Sequence, residues 1–228
     1  MSIQKTFTIP FFLALSLSSG LSLSHAQAAE ENWESLGVID GVSVSRMEVP
    51  GQPLFAFRGE MVAPIHIGKL MSVFADSTKR KDWVDRWKDH ASLKRPHAWA
   101  ETYWIRFGLP FPISDRDYVL HSEVNRDPSK RMVTATIQSV TEDSKPPLEC
   151  CVRARVEKTF YSFEAVPGKE ETHVRVEVRT DPKGLLPHWL INLIQKKWPS
   201  KTLGGLLEAS QKHNQIHPEF EEWHATQR

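Results

Sequence analysis

Glu101, His121 and His188 are the side chains of this chain best suited to giving or taking a proton inside a pocket, and none has an evident partner nearby in the sequence. General acid–base work needs a group whose pKa is moved by burial or by a neighbouring charge. There is no Gly-x-Ser-x-Gly elbow, no His-Glu-x-x-His pair and no phosphate-binding loop. His213 and His217 stand four residues apart with Glu221 one turn further, a spacing that can place metal ligands on one helix face. Pro218 interrupts that helix, so solvated surface is expected and no metal site. The only cysteines, Cys150 and Cys151, are adjacent. Their Cα atoms lie about 3.8 Å apart, closer than the roughly 4.4–6.8 Å of an ordinary disulfide. Cys150 has no identifiable base. The expectation is a protein without catalytic residues, metal or cofactor.

The elements that would position these side chains follow from hydrophobic periodicity. Residues 30–36 read as a short helix stopped by Gly37. Val42–Val49 and Leu54–Val62 read as strands around a Pro50-Gly51 turn. Pro64 opens a helix with Ile65, Ile67, Leu70, Met71 and Phe74 on one face. Lys79–Trp87 reads as a short charged helix carrying Trp83 and Trp87 four apart. Strands then follow over residues 99–107, 118–124, 131–140, 152–163 and 172–180. In the last of these Val174, Val176 and Val178 alternate with Arg175, Glu177 and Arg179. The short turns predict an antiparallel meander. From Leu186 the period becomes helical, with Trp189, Leu190, Leu193, Ile194 and Trp198 on one stripe; Pro199 should kink or break this helix before it continues to about His213. The fold class is α+β, one curved antiparallel sheet wrapped around a long C-terminal helix.

Lys5 is followed by a charge-free, leucine-rich stretch that ends in Ala26-Gln27-Ala28, the pattern of a secretory signal peptide over residues 1–28. The expected protein is exported, periplasmic or secreted. Lys5 is the only charged residue of that segment, so the remaining 200 residues carry 29 − 1 = 28 basic and 28 acidic side chains. Zero net charge argues against nucleic acid as a partner. Residues 29–215 fit one domain, and residues 216–228 read as a polar tail.

Several segments, in this order and spacing, resemble the START (StAR-related lipid-transfer) domain family. They are Arg80-Lys81-Asp82-Trp83, the run Pro112-Ile113-Ser114-Asp115-Arg116-Asp117-Tyr118, the pairs Ser139-Val140 and Val152-Arg153, and the run Asp181–Asn192. The resemblance implies the helix-grip fold and a lipid-sized tunnel between sheet and C-terminal helix. It also implies a lid made by that helix and the loop over residues 108–113, with transient membrane contact through both. A phospholipid, sterol or related lipid is the implied ligand.

Strand parity nominates Tyr118, Leu120, Ser122 and Val124, with Glu101, Tyr103, Ile105 and Phe107 on the preceding strand, as the side chains facing such a tunnel. Leu109, Phe111, Trp189, Leu190, Leu193 and Ile194 complete the candidate lipid-binding set. Some sterol-binding members resembling this chain pair an acid with an arginine six residues beyond the Arg-Asp arginine. That position is Ser122 here, so Glu101 is left without its arginine and Ser122 and Tyr103 stand as neutral anchors. Arg116-Asp117 reads as an ion pair pinning the lid hinge. The alternatives are a cyclase- or hydrolase-like enzyme on the same scaffold and an envelope protein that binds a partner through exposed Phe220 and Trp223.

Overall fold

The computed structural model describes residues 32–225, and the leader expected over residues 1–28 lies outside them. The strands are β1 (Glu34–Ile39), β2 (Val42–Met47), β3 (Ala56–Ala63), β4 (Trp87–His97), β5 (Ala100–Phe107), β6 (Asp115–Asp127), β7 (Met132–Ser139), β8 (Cys151–Arg153), β9 (Arg155–Ala165) and β10 (Thr172–Asp181). The helices are α1 (Ile67–Phe74), α2 (Arg80–Trp83) and α3 (His188–Lys212). The sheet order is β1-β2-β3-β10-β9-β7-β6-β5-β4, with β8 attached to β6. The run from β4 to β10 is the expected meander, and β3 joins its far end by pairing Met61 with Val174 and Phe57 with Val178. The molecule is an α+β grip, a curved antiparallel sheet closed by α3.

Several local expectations give way to tertiary pairing. Residues 34–36 are strand, not helix. Pairing with β2 satisfies their backbone groups and a bulge between Ser35 and Gly37 absorbs the glycine, whereas an isolated seven-residue helix is marginal in water. Trp83 and Trp87 do not share a helix, because α2 ends at Trp83 and Arg86, at φ 59°, turns the chain into β4. β4 itself has no period-two signature: it is an edge strand with charged residues on both faces. β8 runs parallel to β6, with Asp117 opposite Arg153, an exception to the antiparallel rule. The segment after α3 is not a free tail. Phe220 is fully buried and Trp223 nearly so, because the chain folds back onto α1, where the His217 amide bonds the Gly68 carbonyl at 2.9 Å.

α3 runs through Pro199 as one helix. A proline there forfeits one backbone hydrogen bond, and its ring instead seats on the sheet: a Cβ added at Gly59 of β3 would stand 2.6 Å from Pro199 Cβ. A turn further, Gly205 lies under α2, where an added Cβ would stand 2.5 Å from the Trp83 carbonyl oxygen. These approaches divide the helix. Its second half buries Pro199, Leu203, Leu206 and Ala209 in the main core with Val42, Val44, Leu70, Phe74, Phe163 and Val176. Its first half buries only Ile191.

Gly204 and Gly205 give a matched test. Gly205→Ala should destabilise the protein by about 1–3 kcal/mol, the cost of overpacking. Gly204→Ala, with open space around its Cβ, should be neutral or stabilising by up to about 1 kcal/mol. Urea denaturation of both variants checks this, and equal effects would remove the steric account.

Candidate functional site

Between the first half of α3 and the sheet lies a partly open cavity of about 510 Å³, within the range of small-molecule sites. Alternation along paired strands builds its wall. β5 turns Glu101, Tyr103, Ile105 and Phe107 inward, and β6, paired with Glu101 opposite Ser122 and Ile105 opposite Tyr118, adds Tyr118, Leu120, Ser122 and Val124. β9 and β10 contribute Val156, Thr159, Tyr161, Val178 and Thr180. The opposite set on β5 points to the other face, where Trp104 Nε1 donates to Asp117 Oδ2 at 2.8 Å and Thr102 bonds His121 Nδ1 at 3.0 Å.

Leu109, Leu193 and Ile194 also line the cavity, whereas Phe111, Trp189 and Leu190 do not. The inward face of α3 runs through Ile191, Ile194, Gln195, Trp198 and Thr202. At roughly 100° per residue, Trp189 is turned well away from Ile191. It is 68% exposed, Leu193 at the rim is 51% exposed, and Phe111 is 98% exposed.

One end of the cavity is ionic. Arg80 Nη2 donates to Glu101 Oε2 at 2.5 Å and Arg95 Nη2 to Glu101 Oε1 at 3.1 Å. The arginine that Glu101 lacked in the strand reading thus comes from α2 and β4. Arg80 also donates through Nη1 to His90 Nε2 at 2.6 Å and lies over the Tyr103 ring at 3.9 Å. Burial alone would raise the Glu101 carboxyl, but Arg80 beside it, with hydrogen bonds from Ser92 and Arg80, holds it below its ordinary value. His90 is pushed down, first by burial and then by Arg80, so it accepts from Arg80 as a neutral ring. One carboxylate faces two guanidiniums, a local surplus of positive charge; the rest of the lining is mostly apolar, with Asp85, Arg86, Arg116, Lys197 and Lys201 as its further charged members. Burial pushes the phenols of Tyr103, Tyr118 and Tyr161 up, so they stay neutral donors.

The opposite end is held by Arg116, which is 4% exposed. It does not pair with Asp117. Its Nε donates to the Pro182 carbonyl at 3.0 Å, Nη1 to Ser114 at 2.6 Å and Nη2 to Lys183 at 3.0 Å. It thereby ties the loop before β6 to the loop before α3. Asp117 faces away and accepts from Arg153 Nη2 at 2.9 Å and from Trp104. Burial lowers the Arg116 pKa, offset slightly by Tyr118.

Of the residues that sequence reasoning missed as cavity groups, Arg80 carried a signal in its Arg-x-x-Trp segment. Arg95 carried none, since β4 has no pattern, and neither did His90, which braces Arg80 without lining the cavity. His213 and His217 hold no metal-like cluster among the described residues. Cys150 and Cys151 are free thiols, and burial, then Cys150, pushes Cys151 up to about 11.

The START domain model matches residues 20–216 of the chain. An uncharacterized protein of Pseudomonas aeruginosa is 28% identical over 186 residues, covering 81% of this chain and 90% of the relative. The phosphatidylcholine transfer protein of Rattus norvegicus is 25% identical over 187 residues, covering 80% of this chain and 86% of that protein. Among solved structures, human StAR-related lipid transfer protein 5 superposes with a TM-score of 0.73 at 18% identity over 82% of this chain and 89% of that one.

Glu101→Gln should cost about 3–5 kcal/mol in urea unfolding at pH 7, because it leaves Arg80 buried without its anion. Arg95→Gln, at a side chain 43% exposed, should cost at most about 1 kcal/mol. Since folding lowers the Glu101 pKa, its contribution is present above the ordinary glutamate value of about 4.3 and is lost as pH falls through the folded value. The acid limb of the stability curve should be shallower in Glu101→Gln, and an unchanged limb would remove Glu101 as its source.

Proposed function

The chain belongs to the START domain family, and we propose that it is a non-catalytic carrier that holds one phosphate-bearing lipid and moves it between membranes. The observation that carries this reading is the polarity of the cavity. Its wall is apolar over most of its length, as acyl chains require. The end built on Arg80 holds two guanidiniums against a single carboxylate, a surplus that an anionic phosphate would neutralise. Ser122, opposite Glu101, and Tyr103 would add hydroxyls for the linking groups of the head. The phosphatidylcholine transfer protein of Rattus norvegicus, 25% identical over most of both chains, supports the same ligand class.

Membrane exchange rests on the other end. Phe111, Leu185, Trp189 and Leu193 are exposed apolar side chains around the loops that Arg116 ties together. In water such a rim is a liability, and on a bilayer it is an anchor. No described helix is long and apolar enough to cross a membrane, so contact would be peripheral. The leader pattern of residues 1–28 supports work outside the cytoplasm. The enzyme alternative lacks a free acid or base: Glu101 is committed to Arg80 and Arg95, His121 lies on the other face with Thr102, and His188 is exposed at the start of α3.

The deciding experiment is native mass spectrometry of the protein purified from its own compartment, followed by lipid extraction. One phosphate-bearing lipid per chain is expected, with Arg80→Gln shifting the profile toward neutral lipids. An empty protein that also ignores phospholipid vesicles would end the carrier reading. Phe111→Asp should slow vesicle-to-vesicle transfer about tenfold, the loss of one buried phenylalanine being worth about 1.5–3 kcal/mol. Its equilibrium binding should stay close to wild type, and equal transfer rates would remove the rim from the mechanism.

A further inference from the structure

The segment after α3 lies mostly beyond the family match, which ends at residue 216, yet it is firmly docked. Two histidines in ring contact hold it, His66 at the N-cap of α1 and His224 in the docked segment, with centroids 4.3 Å apart, planes tilted by 43° and both nearly fully buried. His224 Nε2 accepts from the Ile67 amide at 2.9 Å, while its Nδ1 donates to the Lys169 carbonyl at 2.6 Å. His66 Nδ1 accepts from the Gly68 amide at 3.0 Å, and its Nε2 donates to the Glu221 carbonyl at 3.3 Å. Each ring therefore uses one nitrogen as acceptor and the other as donor, which only the neutral imidazole can do. A second proton on either ring would point an N–H at an amide N–H and place a cation against the neighbouring histidine.

The docked segment also backs one residue of the cavity wall. Trp99, in the turn between β4 and β5, lines it. The outer side of Trp99 packs on His217 and Phe220, at centroid distances of 5.3 and 5.9 Å, and Phe220 packs on Trp223 at 4.7 Å. We propose that residues 213–225 are a proton-sensitive clasp that holds Trp99 in the cavity wall, and that protonation of His66, packed against His224, releases the clasp and hastens loss of the bound lipid.

The surrounding charges bear on the sign. Lys69 and His224 oppose a proton on His66 and Glu170 favours one, yet burial outweighs the rest and lowers its pKa. Burial also lowers His217, with Glu219 opposing and Arg126 reinforcing. An Arg126–Glu219 ion pair joins the segment to β6. A histidine whose docked pKa lies below its free value contributes docking strength that is intact above about 6.5 and is lost as pH falls below it. Release is therefore expected on acidification below about pH 6.5, the ordinary histidine value.

The link to lipid loss rests on the carrier reading, but the clasp can be tested without it. Hydrogen exchange on the full chain at pH 7.5 and pH 5.0, corrected for intrinsic rates, should show at least about a tenfold loss of protection at Ile67, Gly68 and residues 217–225, with residues 199–209 of α3 unchanged. His66→Asn paired with His224→Gln keeps an acceptor for each amide without a titrating ring, and should abolish that loss. Unchanged protection in the wild type, loss spread equally over α3, or the same pH dependence in a folded double variant would overturn the clasp. In parallel, the dissociation rate of a pyrene-labelled phosphatidylcholine should rise several-fold between the two pH values in the wild type only. A probe that binds at neither pH would count against the carrier reading and leave the exchange result to decide the clasp.

Discussion

Pro199 seated on Gly59 is the contact on which the rest of the molecule depends. It brings the middle of α3 against β3 with only the proline ring between the backbones, and Gly205 under the Trp83 carbonyl continues that close approach further along the helix. A straight helix pressed against a curved sheet at one end must stand away from it at the other. The second half of α3 therefore becomes core and the first half becomes a roof. The cavity is the space left between roof and sheet, and the exposed Trp189 and Leu193 are the outer surface of that roof. A protein with an open interior has to concentrate its packing elsewhere. The aromatic cluster of Phe74, Trp83, Tyr161 and Phe163, with Phe220 and Trp223 closing one side, does this.

Ionic groups inside such a structure must each find compensation. Asp117 is satisfied on the face opposite the cavity by Arg153 and Trp104, far from any ligand, and its role is to fix β8 and the loop before it onto β6. Arg116, one residue away, is satisfied by three carbonyl oxygens and joins the two loops beside the exposed rim. Arg80 and Arg95 share Glu101. Of the three, this last group is the one whose ion pair itself faces the cavity, with two guanidiniums to one carboxylate. The same rule therefore yields two structural locks and one site open to an anion.

The gradient from an ionic end to an exposed apolar rim suits a ligand that is itself amphipathic. A head held by guanidiniums leaves the chains pointing toward the loops, where a bilayer would receive them. The net charge of the chain, +1 over all its residues, provides little general attraction to anionic membranes. On the proposed reading, recognition is left to local features: the rim for the surface and the arginines for the head.

Much of this was legible in the residues alone. The alternation in Tyr118–Val124 and Glu101–Phe107 assigned the cavity face of both strands, because a pleat turns successive side chains to opposite sides whatever surrounds it. The family segments around Arg80, Arg116 and Asp181 located the grip. What stayed hidden depended on contacts between distant parts of the chain. Glu101 looked unpartnered because its arginines stand 21 and 6 residues earlier, on α2 and on an edge strand with no pattern of its own. Adjacent Arg116 and Asp117 looked like an ion pair, and the pleat that sorted their neighbours so well sends them to opposite faces. Trp189 and Leu190 belonged to an apolar stripe, but which side of that stripe meets the cavity was set by the seat of Pro199. Phe220 and Trp223 looked like a tail's exposed aromatics until α1 offered a surface to fold onto. Local periodicity determined which elements form and how their faces alternate; only the assembled tertiary structure decided which charges meet, because those partners are brought together by the closure of the sheet around α3.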